Sequence, residues 1–178
     1  MLLGQLGFTP IVDPSSSEEI APAGLTPPKL VEHLAAEKAE EVAARHADAD
    51  LVLGADTIVV LDGEVLGKPR DRADAQRMLA ALAGRWHVVY TGYALIAPQD
   101  GRRVVGHAES EVFIRALSPH EIDAYIDTGE PMDKAGSYAI QGVGSLLVSQ
   151  IKGEYTNIVG LSIPAVDAAW RELGWGLL

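Results

Sequence analysis

The dipeptide Asp62-Gly63 stands between the apolar run Ile58 to Leu61 and the pair Val65-Leu66. Asp-Gly in that setting is a strong hairpin signal, because both residues tolerate the left-handed backbone of a tight two-residue turn. It forces at least one antiparallel strand pair. Around it, helical and strand patterns alternate. Leu30, Val31, Leu34, Ala35 and Val42 recur at helical spacing after Thr26-Pro27, which suits a helix start, so a helix is expected from about residue 27 to His46. Leu51 to Ala55 reads as a buried strand and Ile58 to Leu61 as another. A helix is expected from Arg72 to Ala83, capped by Asp71 and stopped at Gly84.

Trp86 to Ala97 reads as a long strand that turns at Asp100-Gly101 into a further strand over Val104 to Ala116. Ser118-Pro119-His120-Glu121 is a capping box with proline at the first helical position. A glycine-rich segment from Lys134 to Gly144 leads to an expected strand over Ser145 to Ile151, and a last helix runs from Ile163 to Leu173 behind Ser162. Asp13 to Pro28 reads as a loop. Alternating elements with several hairpins predict an α/β protein built on a mixed β-sheet flanked by helices.

The 178 residues carry 14 basic and 25 acidic side chains, a net charge of −11. That balance argues against a protein that holds nucleic acid through its phosphates. An anionic substrate would have to be met by a few placed cations or a metal. There is no cysteine, so disulfides, thiolate metal sites and cysteine nucleophiles are excluded. No apolar run approaches the ~20 residues of a membrane-spanning helix, and the N-terminus lacks the pattern of a signal peptide. The cytoplasm is the expected compartment. The five histidines are scattered without zinc spacing, and no Gly-x-Ser-x-Gly elbow occurs.

Four features carry candidate chemistry. Asp56, in Gly54-Ala55-Asp56-Thr57, is either a turn aspartate or a metal ligand or general base on a rigid element. Lys38 falls on the same helical stripe as Val31, Leu34, Ala35 and Val42. It either snorkels to water or points its charge at an anionic ligand. Lys68, in Gly67-Lys68-Pro69, could hold phosphate as a point charge, although a plain turn has the same sequence. Glu130 to Gly144 combines three glycines with the donors Lys134 and Gln141, which suits either close backbone approach to a ligand or a series of tight turns.

In series, these motifs resemble the Maf family of nucleotide pyrophosphatases, also described as septum-formation inhibitors. The matching pieces are Glu37-Lys38-Ala39, Gly54-Ala55-Asp56-Thr57, Gly67-Lys68-Pro69, Gly84-Arg85 to Thr91-Gly92, Glu130 to Gly144 and Asn157 to Leu161. They cover nearly the whole chain in the right order. The resemblance implies a single domain over residues 1–178, with an elongated mixed sheet and two lobes around a nucleotide-binding cleft. It implies hydrolysis of a nucleoside triphosphate to the monophosphate and pyrophosphate with a divalent metal, Mg2+ or Mn2+. By the same resemblance Asp56 is the catalytic aspartate, as base or metal-linked activator of water. Lys38 and Lys68 match phosphate-binding lysines, and Gln141 matches a glutamine near the reacting phosphate. Glu19, or less closely Glu18, matches a glutamate that joins Asp56 at the metal.

The segment from Asp133 to Gly142 is similar to the branch acting on dTTP and UTP, which implies house-cleaning of nucleotides, modified pyrimidines among them. The partner expected is the nucleotide, with no nucleic acid or membrane and with a homodimer left open. A nucleotide-binding regulator of cell division with little turnover is the rival reading. The family begins with a strand and a Ser/Arg phosphate loop that has no counterpart before Met1-Leu2-Leu3. Low turnover is therefore expected of the chain as given, and the rival draws its motive from the same departure.

Overall fold

The computed structural model describes residues 2–16 and 22–175. In chain order the elements are α1 (Leu2–Gln5), α2 (Pro27–Arg45), β1 (Val52–Leu61), β2 (Glu64–Leu66), α3 (Arg72–Leu82), β3 (Arg85–Ile96), β4 (Arg103–Ile114), α4 (Pro119–Asp127), β5 (Val148–Lys152), α5 (Tyr155–Val159) and α6 (Ile163–Glu172). The sheet order is β2-β1-β3-β4-β5. β1 and β2 pair antiparallel with Val60 opposite Val65, and β4 and β5 pair antiparallel with Val112 opposite Ile151. The α/β class with flanking helices is as expected. The described strands form an antiparallel sheet in which β3 lies beside β1 after the chain has passed through β2 and α3.

Two compact units divide the chain. One comprises residues 1–56, 91–108 and 160–178, and the other residues 57–90 and 109–159. In the first, side-chain alternation along the strands assigns each face a helix. Val52 of β1 and Ala94 and Ile96 of β3 pack with Ala35 and Ala39 of α2. Leu51, Leu53, Tyr93 and Leu95 pack instead with Val166, Ala169 and Leu173 at the α6 end. In the second, Val59, Leu61, Val89, Val112 and Ile114 pack under Leu79 and Leu82 of α3 and Ile122, Tyr125 and Ile126 of α4. Fully burying a leucine such as Leu79 contributes about 1.5–3 kcal/mol.

Local signals set most of the boundaries. Asp62 and Gly63 take φ of 51° and 85°, the positive pair that the tight hairpin requires. The Asp71 side chain accepts the Asp74 N–H at the start of α3, and Ser118 and Glu121 form both arms of the capping box of α4. Three differences stand out. Residues 52–61 form one strand rather than two, so Asp56 lies inside β1. Gly142–Leu146 is a 3-10 turn and the following strand starts only at Val148. A short helix, α5, buries Asn157, whose side-chain amide donates to the Val89 carbonyl at 3.2 Å and to Ser110 Oγ at 2.9 Å. No helix among the described residues is long and apolar enough to cross a membrane.

Candidate active site

Val52, Gly54 and Asp56 share one face of β1, the face that α2 covers. The helix comes unusually close there. A Cβ on Gly54 would lie 2.5 Å from the Ala35 carbonyl oxygen and 2.9 Å from the Ala39 Cβ. A Cβ on Gly92, in β3, would lie 2.1 Å from the Val31 carbonyl oxygen. Small residues on both sides let the two backbones approach. Lys38 then meets Asp56, with Nζ donating to Oδ1 at 2.6 Å. The Asp56 side chain is only 9% exposed and that of Lys38 25%. The Lys38 ammonium is directed at a carboxylate held on the sheet, and Asp56 lies within a strand rather than at a turn.

The other candidates lie in the second unit. Lys68 is exposed in the loop after β2, and Gln141 is exposed just before the 3-10 turn Gly142–Leu146. Lys134 Nζ bonds Asp133 Oδ1 at 2.5 Å, and this bond, with a further pull from Lys68, holds the Asp133 carboxyl below its usual value. The Gly136 N–H donates to the Gly67 carbonyl at 3.0 Å, which joins the loop of Lys134 to the segment of Lys68. Gly136 has φ 69°, and a Cβ there would press on Val59 at 3.0 Å. Tyr138 is buried beside it, its hydroxyl 2.7 Å from His87 Nε2. Burial pushes His87 down to about 4, so it is neutral and pairs with the phenol as an uncharged ring.

Glu19 and Glu18 lie outside the described residues. Among the described residues no three His, Asp or Glu side chains gather as a metal cage. Mg2+ is commonly held by one or two carboxylates, with water and substrate phosphate completing its shell. A carboxylate on a strand with one oxygen taken by Lys38 fits that mode of binding. The residues overlooked in the sequence are Glu130 and Tyr125. Tyr125 reads as plain helix core and Glu130 as the polar start of a glycine-rich loop, yet the two are hydrogen-bonded at 2.9 Å. A carboxylate ahead of three closely spaced glycines was the available signal.

Comparison with known proteins matches the same stretch. The family model described as Maf-like protein matches residues 1–173. A protein of Moorella thermoacetica named dTTP/UTP pyrophosphatase is 49% identical over 98% of this chain and 91% of its own length. One of Gloeobacter violaceus bearing the same name is 50% identical over 92% of this chain and 84% of its own, and one of Dictyoglomus turgidum 42% identical over 99% and 92%. The match spans α2 with Lys38, β1 with Asp56 and the glycine-rich loop alike, and the chain belongs to the Maf family.

Proposed function

We propose that this protein is a nucleoside triphosphate pyrophosphatase that hydrolyses dTTP and UTP to the nucleoside monophosphate and pyrophosphate. One observation carries the reading: relatives 42–50% identical along almost the whole chain bear the name dTTP/UTP pyrophosphatase. In the reaction a water oxygen bonds to the α-phosphorus, the bond from that phosphorus to the bridging oxygen breaks, and pyrophosphate departs. Asp56 takes the water proton as general base. Lys38 fixes the orientation of that carboxylate and contributes positive charge toward the phosphates. Lys68 and Lys134 act on the phosphates as point charges, and the Gln141 amide donates to an oxygen of the reacting phosphate. Mg2+ or Mn2+, held by Asp56 and Glu19, would supply Lewis-acid charge at the phosphate oxygens. The setting that fits this activity is the cytoplasm, with removal of unwanted pyrimidine nucleotides as the task.

The deciding assay is pyrophosphate release from the four common ribonucleotides and dTTP with Mg2+ or Mn2+. dTTP and UTP should turn over faster than ATP or GTP, because Asp133 to Gly142 resembles the pyrimidine branch. Equal rates on all substrates would remove the assignment to that branch, and no release from any would remove the enzyme reading.

The two lysines should respond differently. Lys68 is exposed, so Lys68→Ala should lower kcat/KM at least ~10-fold, the loss of one charge-assisted contact, while Tm stays at the wild-type value. Lys38→Ala should lower both. It leaves Asp56, 9% exposed, without its cation, which costs on the order of 1–3 kcal/mol. A Lys38→Ala variant with wild-type Tm and wild-type kinetics would show that the ion pair serves neither purpose.

A further inference from the structure

Glu130 opens a 3-10 turn, Glu130–Asp133, that follows Gly129. Its carboxylate is turned onto donors of the protein itself. Oε1 accepts the Tyr125 hydroxyl at 2.9 Å and the Gly144 N–H at 2.8 Å, and Oε2 accepts the Val143 N–H at 2.9 Å. The Tyr125 oxygen, while donating to Glu130, accepts the Ala139 N–H at 3.1 Å. The chain is thus fastened at residue 139 on one side of Gln141 and at residues 143 and 144 on the other. Glycine is required by the closeness of this fastening. A Cβ on Gly142 would lie 2.3 Å from Glu130 Oε2, and one on Gly144 would lie 2.2 Å from the Ala139 carbonyl oxygen and 2.6 Å from the Tyr125 hydroxyl.

Burial works against the charge on Glu130, but the N–H groups of Gly144 and Val143 and the Tyr125 hydroxyl outweigh it and hold the carboxyl below its usual value. Ionised, it is acceptor-only, and three donors converge on its two oxygens. Hydrogen bonds to a charged group are roughly twice as strong as those between neutral groups. That is a large investment in a segment whose residues 141 to 143 are exposed and add nothing to the core. The core anchors of the loop are other residues, Pro131, Tyr138 and Leu147.

We propose that Glu130, with Tyr125 as its relay, is the positioning residue for Gln141: the ionised carboxylate and the phenol hold both flanks of the glutamine so that its amide is presented in one place. The inference rests on the reading of Gln141 as a donor to the reacting phosphate. A displacement of about 1 Å in such a group can cost ~10²-fold in rate.

Glu130→Gln tests it. The amide keeps the shape but sets a donor NH2 against backbone donors, so at least one of the Val143 and Gly144 N–H groups loses its acceptor. The expected result is a fall of at least ~10-fold in kcat for pyrophosphate release from dTTP, with KM little changed. In a Gln141→Ala background the same substitution should add no further loss, because the group it positions is gone. Tyr125→Phe, which keeps the ring in the core, should give a smaller kcat loss that also vanishes in the Gln141→Ala background. Hydrogen exchange should quicken at residues 139–144 in Glu130→Gln and stay unchanged in α3 and β3. Unchanged kcat, or the same fold-loss in both backgrounds, would overturn the positioning role. If the wild-type protein releases no pyrophosphate, the enzyme reading fails on that measurement, and exchange unaltered at residues 139–144 then overturns the positioning role separately.

Discussion

Asp56→Asn should fold as the wild-type protein does and lose at least ~10²-fold of its turnover of dTTP, within the range for removal of a general base. The amide is isosteric with the carboxylate, so the packing of β1 against α2 is not disturbed. Two chemical properties change: the side chain can no longer take a proton, and the negative charge that a divalent ion would require is gone. The loss on the other side of the pair is modest. The Lys38 side chain is 25% exposed, so its ammonium can turn to water when Asp56 becomes neutral. The variant therefore separates catalysis from folding better than Lys38→Ala, which leaves a buried charge behind. The measurement is steady-state pyrophosphate release at saturating Mg2+ or Mn2+, beside thermal unfolding followed by circular dichroism. Turnover close to wild type with an unchanged Tm would reduce Asp56 to a structural partner of Lys38.

What was legible in the sequence was what local chemistry decides. Asp62-Gly63 turns as read because two adjacent residues alone set the positive φ values. The capping box at Ser118 forms because both of its hydrogen bonds close within three residues. Lys38 shows where that reasoning stops. Spacing placed it on the apolar stripe of α2, and spacing could not say whether it snorkelled, since its partner is 18 residues away on a strand. The partner lies in the alternation Val52, Gly54, Asp56, which exists only because residues 52–61 run as one strand.

The glycine loop failed for a similar reason. Ser145 and Leu146 look like the start of a strand, but the Val143 and Gly144 N–H groups are taken by a carboxylate 13 and 14 residues earlier, which winds the chain into a 3-10 turn before β5 can begin. α5 is not legible in the sequence because five residues carry too weak a period to read. It is fixed by Asn157, buried and bonded to the Val89 carbonyl and to Ser110 of β4.

Gly92→Ala should cost more stability than any other single methyl group added to the first unit. The new Cβ would lie 2.1 Å from the Val31 carbonyl oxygen, 2.3 Å from its carbon and 2.8 Å from the Glu32 nitrogen. All three are backbone atoms of a helix, so no rotamer change relieves the clash. α2 must retreat from β3 by roughly 1 Å, and the methyls of Ala35 and Ala39 then lose their contacts with Val52, Ala94 and Ile96. Overpacking of a core costs about 1–3 kcal/mol and occasionally more, and a clash with rigid backbone belongs at the upper end. For a chain of this size about 3 kcal/mol lowers Tm by roughly 6–12 °C. Gly4→Ala is the control: it lies in α1 with nothing within 4 Å of the added methyl, so Tm should hold or rise slightly. The same retreat draws Lys38 away from Asp56, because the lysine rides on α2 while the aspartate stays in β1. Any folded Gly92→Ala protein should therefore also lose turnover in proportion to the lengthening of that pair. A Gly92→Ala protein with wild-type Tm would mean that α2 already has room to move, and the close packing of helix on sheet would no longer explain how Lys38 and Asp56 are brought together.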